Sequence, residues 1–268
     1  MEAAGAVRGL TRGGRRIPPA VPAAIAGAWG LAVAAEGTGT AGLLHHDALI
    51  HSGLPLWAAA GLFLLAWQAM VAAMMLPSSL PMVRLFAAAS RNQERPGGAM
   101  AAFLGGYAAV WSAFGALAFL ADVAIHRAVD ATPWLAARPW LIAAGSLALA
   151  GGFQFSSLKD KCLSECRHPA GFLVQHYARG AGAAFRMGSR HGLFCLGCCW
   201  ALMLVVFGAG VANLWWMAGL GALMFYEKAG RNGDRIVPAA GLALLTLAAL
   251  ALAHPPWLPN LFGGGRAL

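Results

Sequence analysis

Long apolar stretches that carry almost no charge are the feature that most constrains the fold of this chain. The longest extends from Gly192 to Tyr226, 35 residues without a formal charge. A single helix of that length would measure about 52 Å, whereas the hydrocarbon core of a bilayer is about 30 Å thick. Gly208, Gly210 and Asn213 lie near the middle of the stretch and predict a tight hairpin between two spans. Because 59% of all residues are hydrophobic and only 11% are charged, lipid is the expected solvent.

Seven transmembrane helices are predicted along the chain, since a span needs about 20 mostly apolar residues. They are 21–35, 54–76, 99–125, 140–158, the two halves of 192–226, and 236–253. The first is short and follows an arginine-containing segment, as a signal peptide would, but the prolines at its start favour a retained span. Pro77 is predicted to end the second span, with Ser78 and Ser79 capping the next element. The predicted fold class is therefore all-α, a polytopic transmembrane helix bundle.

Lysine and arginine fall unevenly on the two sides of this arrangement. The tail and the segments 77–98, 159–191 and 227–235 hold 16 of these residues, and the opposite side holds 3. Because cytoplasmic segments are enriched in Lys and Arg, the N-terminus is predicted inside and the C-terminus outside. The predicted organisation is a basic cytoplasmic tail at residues 1–17 and one transmembrane domain at 18–268, in the cell membrane of a bacterium (the inner membrane). The net charge of +9 is spread over loops that face lipid, so nucleic acid is not expected as a partner.

All five cysteines lie close together in the sequence, in two groups. Cys162 and Cys166 fall in the predicted cytoplasmic loop 159–191, and Cys195, Cys198 and Cys199 fall at the start of the fifth span. On a helix the last three share a face, so their thiolates can converge on one ion. Sulfur ligands favour Cu(I), zinc or an iron–sulfur cluster, and the reducing cytoplasm disfavours structural disulfides. The cysteines therefore predict a soft-metal site, with Cu(I) favoured over zinc.

Methionine and histidine residues are further candidate ligands. Met74 and Met75 carry thioethers near the cytoplasmic end of the second span, at the membrane level predicted for the cysteines. His45, His46, Asp47 and His51 form a loop predicted on the outer side, where a solvated loop is favoured over a metal site.

Glu227 and Lys228 close the sixth predicted span. A carboxylate at the end of a span is costly unless it is paired or hydrated, which makes Glu227 the more informative of the two residues. Because adjacent residues on a helix do not face each other, a salt bridge between Glu227 and Lys228 is not implied. Lys228 itself fits the enrichment of positive charge on the cytoplasmic side.

Several strings of the sequence resemble one known family. They are Met-Met-Leu-Pro-Ser at 74–78 with Pro-Met at 81–82, Lys-x2-Cys-Leu-x2-Cys-Arg-x-Pro at 159–169, Gly-x2-Cys-x-Gly-Cys-Cys-Trp-x-Leu-Met at 192–203, Asn-x2-Trp-Met at 213–217, and Glu-Lys at 227–228. The chain resembles, from about residue 62 to residue 228, the integral membrane proteins grouped as the domain of unknown function DUF2182. That resemblance implies a polytopic membrane protein with a suggested metal site and no established reaction.

Three functions are open on the sequence alone. The first is the binding of copper for handling or transport, in exchange with a soluble metal carrier or a membrane partner. The second is a membrane thiol–disulfide oxidoreductase, since two close cysteine pairs suit thiol exchange. The third is a non-catalytic assembly subunit with structural zinc. The sequence has no phosphate-binding glycine loop, Ser–His–Asp arrangement or zinc-hydrolase motif, so a non-enzymatic role is favoured.

Overall fold

The computed structural model describes residues 17–44, 46–138, 140–209 and 213–253, and every regular element in these ranges is helical. The first half contains α1 (Ala20–Gly37), a short 3-10 helix (Thr40–Leu44), α2 (His46–Ile50), α3 (Leu56–Ser90) and α4 (Pro96–Asp130). The second half contains α5 (Pro133–Ala136), α6 (Trp140–Phe153), α7 (Ser157–Arg167), α8 (Pro169–His176), α9 (Ala181–Ala209), α10 (Leu214–Ala229) and α11 (Gly233–Leu252). The prediction of an all-α fold is confirmed.

Five of the described helices are long and apolar enough to cross a membrane: α1, α3, α4, α9 and α11. The helices α6 and α7 meet at a bend of 65° and would together make a sixth span. The helix α10 has 16 residues and is shorter than each of these five, the shortest of which has 18 residues. The helices are compatible with a multi-pass membrane protein, while the seven spans and the orientation of the termini stay predictions.

The long uncharged stretch 192–226 is divided between two helices, as its length required. The helix α9 ends at Ala209 and α10 begins at Leu214. Asn213 caps α10, because its side-chain oxygen accepts a hydrogen bond from the backbone N–H of Trp216 at 3.3 Å. Gly210 lies outside the described residues, as do residues 1–16 of the predicted tail, His45 and the C-terminal residues 254–268.

The prediction that Pro77 ends a helix is wrong, because α3 continues through Pro77 and Pro81 to Ser90. Proline has no N–H, so Pro77 leaves the carbonyl of Ala73 without its partner in the helix. The indole nitrogen of Trp29 on α1 donates a hydrogen bond to that carbonyl at 3.0 Å. Ser78, expected as a cap, instead donates to the carbonyl of Met75 at 2.9 Å within the helix. A neighbouring helix therefore supplies the hydrogen bond that the Ala73 carbonyl lacks within α3.

The segment 159–191, expected to be a loop, is mostly helical and contains α7, α8 and the first turns of α9. In α9, Arg186 and Arg190 are exposed, while Ala184, Met187 and His191 on the same helix are buried. This spacing of three and four residues is that of an amphipathic helix. Such a helix has no uninterrupted apolar stretch, so the apolar stretches of the sequence did not predict it.

Two apolar cores lie along the helices α3, α4 and α9. The first contains the buried cysteines together with Met74 and Met75. The second is formed where the end of α3 and the start of α4 meet α8 and the start of α9, around Phe86, Phe103 and Phe172. The helices α4 and α9 are in backbone contact, because a Cβ atom on Gly106 would overlap the carbonyl of Phe185.

Candidate functional site

The helix α7 presents one face to α9, and that face carries two of the five cysteines. Lys159, Cys162, Leu163 and Cys166 lie at intervals of three and four residues, which places them on one side of a helix. The helix begins at a cap in which the Ser156 hydroxyl accepts a hydrogen bond from the Lys159 N–H at 3.1 Å. The first three of these side chains are buried, and Cys166 is partly exposed.

The helix α9 carries the other three cysteines at its middle, where all three are buried. Cys195 and Cys199 are one turn apart, and Cys198 lies on the side that faces α7. The Cys198 sulfur is 4.0 Å from the sulfur of Cys166. The Cys199 sulfur is 3.6 Å from the thioether sulfur of Met75 on α3. The structure therefore brings sulfur atoms of α3, α7 and α9 together in pairs.

Cys162 and Met74 have different neighbours from these pairs. Cys162 packs against Gly197 of α9, where a Cβ atom would lie only 2.5 Å from the Cys162 sulfur. Met74 packs against α10, where a Cβ on Gly221 would lie 3.6 Å from its Cγ. Of the two adjacent methionines, Met75 is thus the one in contact with a cysteine.

Lys228 of α10 inserts its ammonium group among the α9 sulfurs. Its Nζ lies 3.0 Å from the Cys195 sulfur and 3.9 Å from the Cys199 sulfur. It also donates a hydrogen bond to the Ser78 hydroxyl at 3.3 Å. An ammonium group at these distances attracts negative charge on the sulfurs that it faces. The expectation that Lys228 only marks the cytoplasmic side is therefore incomplete, because the side chain is buried against the cysteines.

Tyr107 of α4 makes the second polar contact to Cys195. Its hydroxyl lies 3.1 Å from the Cys195 sulfur, and the Ser79 hydroxyl lies 3.4 Å from that of Tyr107. The ring of His191 stacks on Tyr107 with ring centroids 5.7 Å apart. Cys195 is consequently held between a phenol from α4 and an ammonium from α10.

Glu227 has the partner that its position requires, and that partner is Lys159 of α7. Their charged atoms are 2.8 Å apart, and both side chains are buried. Lys159 also donates to the backbone carbonyl of Cys198 at 3.1 Å. The ion pair ties α7 to α10 and to the cysteine turn of α9.

The donor set and its spacing fit a soft ion held by few ligands. Two metal–sulfur bonds of about 2.3 Å separate their sulfurs by about 3.8 Å at a tetrahedral angle and about 4.6 Å in a line. The distance of 4.0 Å between Cys166 and Cys198 falls between these values. Among the residues that the structure describes, no three Cys, His, Asp or Glu side chains converge as a group that could hold a metal ion. The cluster therefore offers its sulfurs in pairs.

His51, the one histidine of the predicted outer loop whose side chain the structure describes, is not brought to the cysteines. His51 packs against His126 near the C-terminal end of α4, with ring centroids 5.9 Å apart. Along α4, His126 is about 28 Å from Tyr107, which contacts Cys195. The side chains of His45, His46 and Asp47 lie outside the described residues.

Sequence reasoning missed Tyr107 and Lys228 as neighbours of the cysteines. Lys228 carried a signal, since it stands inside a string that the family resemblance had singled out. Tyr107 carried none, because it lies within an otherwise ordinary apolar span. Its contact with Cys195 depends on the packing of α4 on α9.

Comparison with known proteins gives a family but no close relative. No curated protein matches the chain, and no solved structure matches it either. A family model, PpoB2, described as copper chaperone, matches residues 64–251, which include all five cysteines and more than two thirds of the chain. The family found is copper-related and does not carry the name DUF2182. The chain belongs to the PpoB2 family of copper chaperones.

Proposed function

We propose that this protein binds Cu(I) at the cytoplasmic face of a membrane and passes it to a partner. The ligands are drawn from Cys162, Cys166, Cys195, Cys198 and Cys199, with Met75 as an auxiliary donor and Met74 as a weaker one. The observation that carries the proposal is the pairing of sulfurs across three helices, Cys166 with Cys198 and Cys199 with Met75. Thiolate ligands favour Cu(I), zinc or an iron–sulfur cluster, and the thioether of Met75, which is not a usual zinc ligand, favours Cu(I) among these.

The lengths of two helices support a position at the cytoplasmic face. With 35 residues each, α3 and α4 are about 52 Å long, and a bilayer core accommodates only about 30 Å of that. The excess at one end packs into the second apolar core, with the exposed Arg84, Arg186 and Arg190 around it. Positive residues at a helical extension are typical of the cytoplasmic side. The resemblance to DUF2182 proteins, with their suggested metal site, agrees with this proposal.

Cys166 is the residue through which we expect the ion to be exchanged. The other four cysteines are buried, while Cys166 is partly exposed on α7. A thiol of a soluble metal carrier, or of a membrane partner, can therefore approach the ion at Cys166 first. Ligands would then be replaced one at a time, without release of free copper.

The proposal is tested by measuring the affinity of the purified protein for Cu(I) against a chromophoric chelator under reducing conditions. We expect Cys166→Ser and Cys198→Ser each to weaken binding by at least about tenfold, because each removes one sulfur of the closest cysteine pair. Met75→Leu should weaken it less, and Met74→Leu, which alters the methionine that faces α10, is the matched control.

The two other functions predict different results in the same preparation. A thiol–disulfide oxidoreductase would show a Cys166–Cys198 disulfide or a mixed disulfide with a partner in cells, without protection of the thiols by copper. A structural zinc site would show loss of the helical fold when the metal is removed. Cu(I) affinity that is equal in the wild type and both serine variants would contradict the proposal.

A further inference from the structure

Lys228 places a positive charge where a metal ion would bind. Its ammonium group contacts the sulfurs of Cys195 and Cys199 from α10, and both sulfurs are buried. The ammonium also donates a hydrogen bond to the Ser78 hydroxyl of α3. A resident cation next to the ligands is unusual for a metal site, because it repels the ion that the ligands attract.

Among the described residues, two further buried charges lie beside the cysteines, and they cancel each other. Lys159 and Glu227 form an ion pair at 2.8 Å, so together they add no net charge near the sulfurs. The charge of Lys228 is directed at the sulfurs themselves. The described residues that surround the cluster therefore carry an excess of about one buried positive charge before any thiol ionises.

We infer that Lys228 is a specificity-determining residue that makes the cluster prefer a monovalent soft ion to a divalent one. The inference rests on the proposed copper function and adds the means of discrimination. With two thiolates, a monovalent ion and the ammonium, the buried charges sum to zero. With a divalent ion in the same place, one positive charge is left over in a buried site, where an uncompensated charge is costly.

The arrangement of the sulfurs acts in the same direction. A divalent zinc ion reaches neutrality beside Lys228 only by recruiting a third thiolate, and structural zinc normally takes four ligands in a tetrahedron. The described residues supply no group of three or more such ligands close enough to hold an ion. Pairs such as Cys166 with Cys198 suit an ion that accepts fewer ligands. Charge and geometry both favour Cu(I) over zinc.

The test compares metal preference in the full-length purified protein when the charge at position 228 is changed. The affinities for Cu(I) and Zn(II) are measured by chelator competition in the wild type, Lys228→Met, Lys228→Gln and Lys228→Arg. Ag(I) and Cd(II), two further soft ions of different charge, are measured in the same way. Lys161→Met is the matched control, because it removes a lysine that lies exposed on α7, next to Cys162 in the sequence.

The expected result is a change in the ratio of the two affinities. Both neutral variants should shift the ratio toward the divalent ion by at least about tenfold, since the ammonium repels a divalent ion twice as strongly. Lys228→Arg and Lys161→Met should keep the wild-type ratio. Two neutral variants are used because one can fail to fold without the other, and folding is checked by circular dichroism.

The outcomes separate this inference from the proposed function. If the wild type binds no Cu(I), the proposed function itself fails. If the wild type binds Cu(I) and both neutral variants retain its preference for the monovalent ions, copper binding stands and the role of Lys228 is overturned. A ratio that shifts equally in Lys161→Met would also overturn it, because loss of any nearby positive charge would then suffice.

Discussion

The ion pair between Lys159 and Glu227 is a buried interaction on which the position of the cysteines depends. It joins residues 68 positions apart in the sequence, and both side chains are buried. Lys159 also contacts the Cys198 carbonyl, so the pair fixes α7 against the turn of α9 that carries three thiols. Buried pairs of this kind contribute specificity of packing more reliably than net stability.

Removal of one partner should be costly. Lys159→Met leaves Glu227 as an uncompensated buried carboxylate, and we expect it to lower the free energy of unfolding by about 3–5 kcal/mol. The measurement is thermal or denaturant unfolding of the detergent-purified protein, followed by circular dichroism.

Two further variants serve as controls for that prediction. Lys161→Met, on the exposed side of the same helix, should change the unfolding free energy by no more than about 0.5 kcal/mol. The double variant Lys159→Met with Glu227→Gln should recover part of the loss, because no buried charge is then left alone. A double variant that is less stable than Lys159→Met would contradict the explanation.

At the scale of elements, the contact between α7 and α9 depends on a glycine. Gly197 stands opposite Cys162, and an added Cβ atom would lie 2.5 Å from that sulfur. A sulfur fixed on a packed helix has to move to accommodate such a contact. Gly197 therefore permits the approach that brings the Cys166 sulfur to within 4.0 Å of the Cys198 sulfur.

Gly197→Ala should push α7 away from α9 and weaken Cu(I) binding by at least about tenfold, although it removes no ligand. The matched control is Gly208→Ala on the same helix, where a Cβ atom would meet nothing within 4 Å. Because alanine is the better helix former, the control should leave binding unchanged and not lower stability. Equal copper affinity in the two variants would contradict the role assigned to the α7–α9 contact.

Some features of the helices can be predicted from the sequence, and others depend on contacts between helices that are distant in the sequence. The all-α fold, the division of 192–226 into two helices and the shared face of Cys195 and Cys199 follow from apolar length and helical period. The continuation of α3 through Pro77 does not, because it depends on a hydrogen bond from Trp29 on another helix. That Glu227 is either paired or hydrated was predictable from the cost of a carboxylate at the end of a span, but its pairing with Lys159 was not.

At the scale of the whole molecule, copper exchange with the cytoplasm requires that the end carrying the second apolar core face the cytoplasm. The turn between α3 and α4 lies at that end, and Glu94 is exposed there. The other end of α4 leads to Thr132, which is also exposed. These two positions can report on the two sides of the membrane without disturbing a buried contact.

Labelling with a membrane-impermeant maleimide tests this orientation. In intact spheroplasts, Thr132→Cys should react and Glu94→Cys should react only after the membrane is permeabilised. The wild-type protein is the control for reaction of its own cysteines, of which Cys166 is partly exposed. The reverse pattern of labelling would place the cysteine cluster on the outer side and contradict the proposed site of exchange.

The most direct test of the central claim is elemental analysis of the purified, reduced protein after exposure to Cu(I), with the wild type beside the double variant Cys195→Ser with Cys198→Ser. If the cysteines bind Cu(I), we expect about one tightly held copper per wild-type chain and the loss of that copper in the double variant. Both proteins should keep their helical content. A double variant that holds as much copper as the wild type would contradict the claim that these sulfurs bind the ion.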